Sequence, residues 1–369
     1  MERFDLIAET VKTLYLPSTP LNVLVSCAVA VHQQAISQNN EQAQLWLIDQ
    51  KNSENNPYFN ALQQWQNSPF EEVYLFSAEQ KGQSKLQHRR EIFAELLQAV
   101  KDLRPTQVAV GSDRRVEFQY VMQSLKQIKQ PAKGLYLDDG LYSYAGRPQH
   151  VIKDGINTLL KKIAYGWWWQ EPKTVGASNW INQAWLFAPN KAVQQLQGKD
   201  LVSLEQDWFK DEKIVELSHL VAKQLQFDVS GLIALDVMIL IPHPNNIKKI
   251  PGYKKRIQQL VHQLKKQEKK VGIKYHPRTE ANDFLGLLDF GASVVVPSQL
   301  AFEFCLPLFS KNCQIVGDIG TALLSCKWLR PELKVCAVLD ENESFQEKYI
   351  TLTQSMGIRV TNQIEKSVA

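Results

Sequence analysis

Short apolar runs of strand length recur along the chain, separated by polar or helically patterned stretches. The first half holds LNVLVSC (21–27), AQLWLID (43–49), EEVYLFS (71–77), TQVAVGS (106–112) and GLYLDD (134–139). Between them lie segments such as HRREIFAELLQAVKDL, whose Ile92, Phe93, Leu96, Leu97 and Val100 return at helical spacing. Continuous apolar strands alternating with amphipathic helices predict a parallel sheet covered on both faces, hence an α/β fold. In such sheets working residues lie at the carboxyl ends of strands. That expectation puts Gly111–Asp113 and Asp138–Asp139 on one rim.

The alternation pauses from about 150 to 180 and resumes with QAWLFAPN (183–190), GLIALDVMILIPHP (231–244), KKVGIKYHPR (269–278), ASVVVPSQ (292–299), CQIVGD (313–318) and LKVCAVLD (333–340). A second α/β layer of the same kind is the economical reading, giving domains over 1–180 and 181–345. Residues 346–369 read as a closing helix that returns to the first domain. No internal sequence repeat is visible. Two parallel sheets facing one another would set their carboxyl edges across a cleft, the default location for a ligand.

A length of 369 residues suits two domains, and 44% hydrophobic with 22% charged residues is a globular composition. The net charge of +4 gives no case for nucleic acid as a partner. Eleven Lys or Arg nevertheless fall between Lys248 and Arg278 against the single acid Glu268. This run is either a solvated helix face or a surface that meets phosphates or anionic lipid. The cysteines Cys27, Cys305, Cys313, Cys326 and Cys336 show no CxxC or metal-like spacing and read as buried thiols in a reducing compartment. The opening MERFDLIAETVKTLYLP has acids at Glu2 and Asp5 and no apolar core of a signal peptide, and no stretch is long and apolar enough to span a bilayer. A cytoplasmic location is expected.

Four stretches carry candidate chemistry. Asp138 and Asp139 precede Gly140, so they either cap a turn or supply a general base whose pKa the neighbouring carboxylate raises. A metal is a weaker third option, because two adjacent Asp without further acids make a poor hard-cation cage. His276, followed by Pro277 and Arg278, ends a strand and offers donors to a phosphate or carboxylate; the alternative is a structural histidine. Ser298 follows the next strand and reads as the N-cap of a helix, a position that also suits an anion. His243, in IPHPNN, ends another strand and either lines the cleft or sits in a solvent-facing loop.

Taken together, DDG at 138–140, YHP at 275–277 and the later Ser298 form an ordered set that resembles the bacterial sialyltransferases and polysialyltransferases. The resemblance rests on short motifs spread over residues 20 to 340. It implies two Rossmann-like domains in the GT-B glycosyltransferase architecture, an N-terminal acceptor and catalytic-base domain and a C-terminal CMP-sugar-binding domain. It implies an inverting transfer of a nonulosonic acid of sialic, pseudaminic or legionaminic type from CMP to a hydroxyl of a surface glycan, such as a capsule or lipooligosaccharide precursor, with no metal or other cofactor. Carried over by position, Asp139 would be the base and Asp138 its electrostatic neighbour. His276 would meet the CMP phosphate and assist its departure. Pro277, Arg278, Ser298, Gln299 and His243 would complete the donor site. Gln299 departs from the family, where a second Ser or Thr is common. Gly111, Asp113 and Arg114 are expected to touch the acceptor, or else to start a capped helix. The alternatives are a nucleotide-sugar epimerase, a transferase with another donor, and a non-catalytic glycan-binding protein on the same architecture.

One further segment stands apart. Trp167, Trp168 and Trp169 cannot share a helix face, and Lys161, Lys162 and Lys173 lie close in sequence. The indoles either pack between domains or meet the inner face of the cytoplasmic membrane as a peripheral contact.

Overall fold

A computed structural model describes residues 10–37, 40–50, 55–77, 83–148, 151–339 and 346–368; the acids at Glu2 and Asp5 lie outside the described residues. The chain forms two compact units, residues 1–139 with 146–204 and residues 140–145 with 205–369.

The first unit runs β1 (Val11–Leu16), α1 (Pro20–Ile36), β2 (Glu41–Gln50), α2 (Pro57–Gln64), β3 (Glu72–Ser77), α3 (Gln83–Leu103), β4 (Gln107–Val110), α4 (Val116–Gln127) and β5 (Lys133–Leu137). After α5 (Tyr142–Ala145), which groups with the second unit, it continues with α6 (Val151–Tyr165), β6 (Gln183–Leu186) and β7 (Asp200–Ser203). Its strands pair in parallel in the order β3-β2-β1-β4-β5-β6-β7. Leu14, Leu16, Val108, Val110 and Tyr136 on the strands pack with Leu96, Val100, Phe118 and Leu125 of the helices. Strand order reverses direction between β1 and β4, the crevice where open α/β sheets bind ligands.

Three expectations change here. LNVLVSC is helical, the core of α1, and the first strand is VKTLYL before it. Thr19 caps this helix by accepting from the Asn22 amide N–H at 3.3 Å, and Pro20 opens it. Every residue from Leu21 to Val31 is buried, so no polar stripe marks a helical period and the run passes for a strand. The domain boundary is displaced as well: β6 pairs with β5 through Leu135 and Gln183, so the first unit extends to Leu204 and not to residue 180.

The second unit runs α7 (Glu212–Gln224), α8 (Ser230–Ile233), β8 (Val237–Ile241), α9 (Pro244–Ile247), α10 (Tyr253–Lys266), β9 (Val271–Tyr275), β10 (Val294–Val296), α11 (Phe302–Cys305), β11 (Gln314–Gly317), α12 (Thr321–Leu329), β12 (Lys334–Val338), α13 (Gln346–Ser355) and β13 (Arg359–Thr361). Its parallel order is β10-β9-β8-β11-β12-β13, with its own reversal between β8 and β11. Renumbered from its first strand, this is the 3-2-1-4-5-6 order of the first sheet without β7, so both units are Rossmann-like. The third change lies here: the tail is not a helix alone but α13 followed by β13, which pairs with β12, while α13 packs on α5. On α10, Ile257, Leu260, Val261 and Leu264 are buried while Lys254, Lys255, Lys265 and Lys266 are exposed, so this part of the basic run is an outward helix face.

Candidate functional site

Adjacent strands β1, β4 and β5 of the first unit end at a shared polar cluster. The Asn22 amide, in the first turn of α1, donates from Nδ2 to Asp139 Oδ1 at 2.7 Å. Its carbonyl oxygen accepts from Ser18 Oγ at 3.3 Å, which turns the amide nitrogen toward Asp139. Ser18 in turn accepts from Arg115 Nε at 3.0 Å, and Arg115 also pairs with Asp49. Gly111, just past β4, makes room for this arrangement, because a Cβ there would lie 2.0 Å from Asn22 Nδ2. Asp139 is therefore held by a chain of hydrogen bonds running from Asp49 through Arg115, Ser18 and Asn22.

The two aspartates differ in environment. Asp138 is fully buried and accepts the Phe187 amide N–H at 3.1 Å on Oδ2, which ties the end of β5 to the end of β6. Asp139 keeps partial access to solvent, and its own amide donates to the Tyr136 hydroxyl at 3.2 Å. Burial pushes the Asp139 carboxyl up to about 7, opposed by the Asn22 hydrogen bond, the Arg115 charge and the Thr19 hydroxyl and reinforced by Asp138. A carboxylate that titrates near neutrality, with one oxygen fixed, suits proton abstraction.

On the second unit the strand ends carry Ser298 after β10, His276 after β9, His243 after β8 and Asp318 after β11, in the order of the sheet. The rings of His243 and His276 stand 4.8 Å apart. His276 Nδ1 accepts the Arg278 amide N–H at 3.1 Å and His243 Nδ1 accepts that of Asn245 at 3.0 Å. With Nδ1 of each ring engaged as an acceptor, Nε2 is the nitrogen left to donate to a ligand. Desolvation first, then the charges of His243, Arg278 and Lys274, all lower the His276 pKa. Next along the sheet, at the β8/β11 reversal, a cavity of about 300 Å³ is lined by Leu240, Pro242, Tyr253, Arg256, Gly317 and Asp318 among others.

Other expected residues are placed differently. Ser298 caps no helix: the helical turn after it, α11, starts at Phe302 with Ala301 as its cap. Its carbonyl instead accepts from Lys274 Nζ at 3.0 Å; this lysine, 5% exposed, also donates to the Tyr275 carbonyl, and burial lowers its pKa to about 8. Gln299, Pro277 and Arg278 remain exposed around these groups. Asp113 points inward. It is fully buried and accepts the Gly176 and Ser178 amides at 2.9 and 2.8 Å, clamping that loop. Arg114 is taken up by Glu171, and Gly111 serves Asn22. Of the three tryptophans only Trp167 is exposed: Trp169 is buried beneath the Lys161 ammonium, and Trp168 packs edge-on against Tyr120.

Sequence reasoning missed Asn22, Ser18, Arg115 and the β8/β11 cavity. The Ser-Thr-Pro start of α1 was the available signal for the first two. No group of three or more His, Cys, Asp or Glu placed to hold a metal occurs among the described residues.

The fold is GT-B. An α/β-galactoside α-2,3-sialyltransferase from Photobacterium phosphoreum has TM-score 0.58 at 11% identity, covering 95% of this chain and 98% of that chain. The GT-B domain of a Photobacterium damselae sialyltransferase gives 0.55 at 11% identity, with 95% and 100% covered. A UDP-GlcNAc 2-epimerase from Methanocaldococcus jannaschii gives 0.54 at 13% identity, with 97% and 90% covered. No protein-family model matches the chain, and no curated protein sequence is detectably similar to it.

Proposed function

We propose that this protein is an inverting glycosyltransferase that moves a nonulosonic acid from its CMP donor to a hydroxyl of a surface-glycan precursor, without a metal. The observation that carries the reading is Asp139: a carboxylate at the strand-order reversal, fixed by Asn22 and titrating at about 7. The acceptor oxygen attacks the anomeric carbon on the face opposite the phosphate and its proton passes to Asp139. As the new carbon–oxygen bond forms, the old bond to phosphate breaks and its electron pair leaves on CMP. The Nε2 protons of His276 and His243 stabilise the departing phosphate, and the cavity beside His243 takes the nucleoside. Motif order supports the donor class: DDG, YHP and Ser298 fall at the ends of β5, β9 and β10.

The comparable fold likeness to a UDP-GlcNAc 2-epimerase makes the donor the point to test. A thermal-shift series with CMP, UDP and GDP distinguishes the readings, because a ligand selective for the native state raises apparent stability by about 2.7 kcal/mol at a hundredfold excess over Kd. Stabilisation by CMP alone is expected. Stabilisation by UDP in its place, with UDP-sugar turnover in the absence of any acceptor, would make the protein an epimerase.

A further inference from the structure

Helix α6 is amphipathic in the inverted sense. Its polar side faces the unit: Asp154 accepts from Arg147 at 2.7 Å, and Lys161 donates to Glu171 at 3.2 Å. Glu171, 8% exposed, also binds Arg114 and Arg147, so a partly buried ion cluster anchors the helix. The opposite side carries Ile152, Ile156, Leu159, Leu160 and Ile163, which at 3.6 residues per turn fall within an arc of about 100°. All five are more than half exposed, from 53% at Leu159 to 80% at Ile152, and Trp167 beyond the helix end is 77% exposed. Such a contiguous apolar stripe exceeds what a monomer ordinarily leaves in water and marks a contact surface.

The occupant follows from the charges around the stripe. Lys162 flanks it, with its ammonium 5.6 Å from the centre of the Trp167 ring. A lysine beside an exposed indole at the end of an apolar helix face is the arrangement of an interfacial helix on anionic lipid. The nearby acids Asp154 and Glu171 are turned inward and paired, so the stripe presents no negative charge from them. No helix among the described residues is long and apolar enough to cross a membrane.

We propose that α6 and Trp167 dock this protein on an anionic phospholipid bilayer, with Ile152, Ile156, Leu159, Leu160 and Ile163 entering the boundary between headgroups and acyl chains. Sedimentation of the full chain with phosphatidylcholine vesicles, with and without about 30% phosphatidylglycerol, tests this. The wild type is expected to pellet with the anionic vesicles, and the Ile156→Asp/Ile163→Asp double variant to bind about tenfold less or worse, with an unchanged thermal melt. In vesicles of brominated lipid, quenching of tryptophan emission should fall when Trp167→Phe removes the exposed indole. Failure of the wild type to bind anionic vesicles, or equal binding by the double variant, overturns the proposal. So does a lipid-free dimer that the double variant converts to monomer in light scattering, which would assign the stripe to a second copy.

Discussion

On Asp139, the base of the proposed reaction, burial outweighs the influences that oppose it. Burial favours its protonated form, while the Asn22 amide and the Arg115 charge favour the carboxylate. A hydrogen bond to a charged group is worth about 1.5–3 kcal/mol, enough to move a pKa by a unit or more. Asn22→Leu removes that bond, so the Asp139 pKa should rise. As a base works in its ionised form, the rising limb of kcat/KM should then move to higher pH, with about a tenfold loss below the limb for each pH unit it moves and recovery above it. A loss of equal size at every pH would mean that Asn22 does not act through Asp139. The placing of Asp138, Asp139 and His276 at strand ends was legible because each stands in a short polar motif after an apolar run. Asn22 was not: it is one polar residue in a continuous apolar stretch, and its partner lies 117 positions away.

Among the elements, α1 was misread as a strand, and it carries Asn22 to the polar cluster. Full burial removes the polar stripe on which a helical period depends, leaving Thr19 and Pro20 as the signal. Ser298 was misplaced for a related reason. A serine after an apolar strand looks like a cap, yet the next helical turn is only Phe302–Cys305, and the carbonyl of Ser298 is bound by Lys274 from the neighbouring strand. Asp113 acts on an element too, holding the loop at Gly176 and Ser178. Asp113→Ala leaves two buried N–H groups without acceptors, for which a cost of about 2–4 kcal/mol is expected. Urea denaturation should show that loss as a lower midpoint, with the acceptor KM of the folded protein unchanged. A raised KM with undiminished stability would return Asp113 to acceptor binding.

As a whole, the chain builds one strand order twice without a visible sequence repeat, since strand order depends on where apolar runs and crossovers fall and not on which residues fill them. The α/β alternation was therefore readable, as was the division into two domains. The boundary at Leu204 was not, because β6 and β7 are short strands after a long helical and irregular segment, and nothing local says which sheet they join. The reading of function turns on the carboxylate of Asp139. Its most direct test is CMP release from a CMP-nonulosonate, measured with and without a glycan acceptor, for the wild type and for Asp139→Asn. The account expects acceptor-dependent release by the wild type and a fall of about 10²–10⁴-fold in the variant, the range for removing a general base. Undiminished release by Asp139→Asn would contradict it.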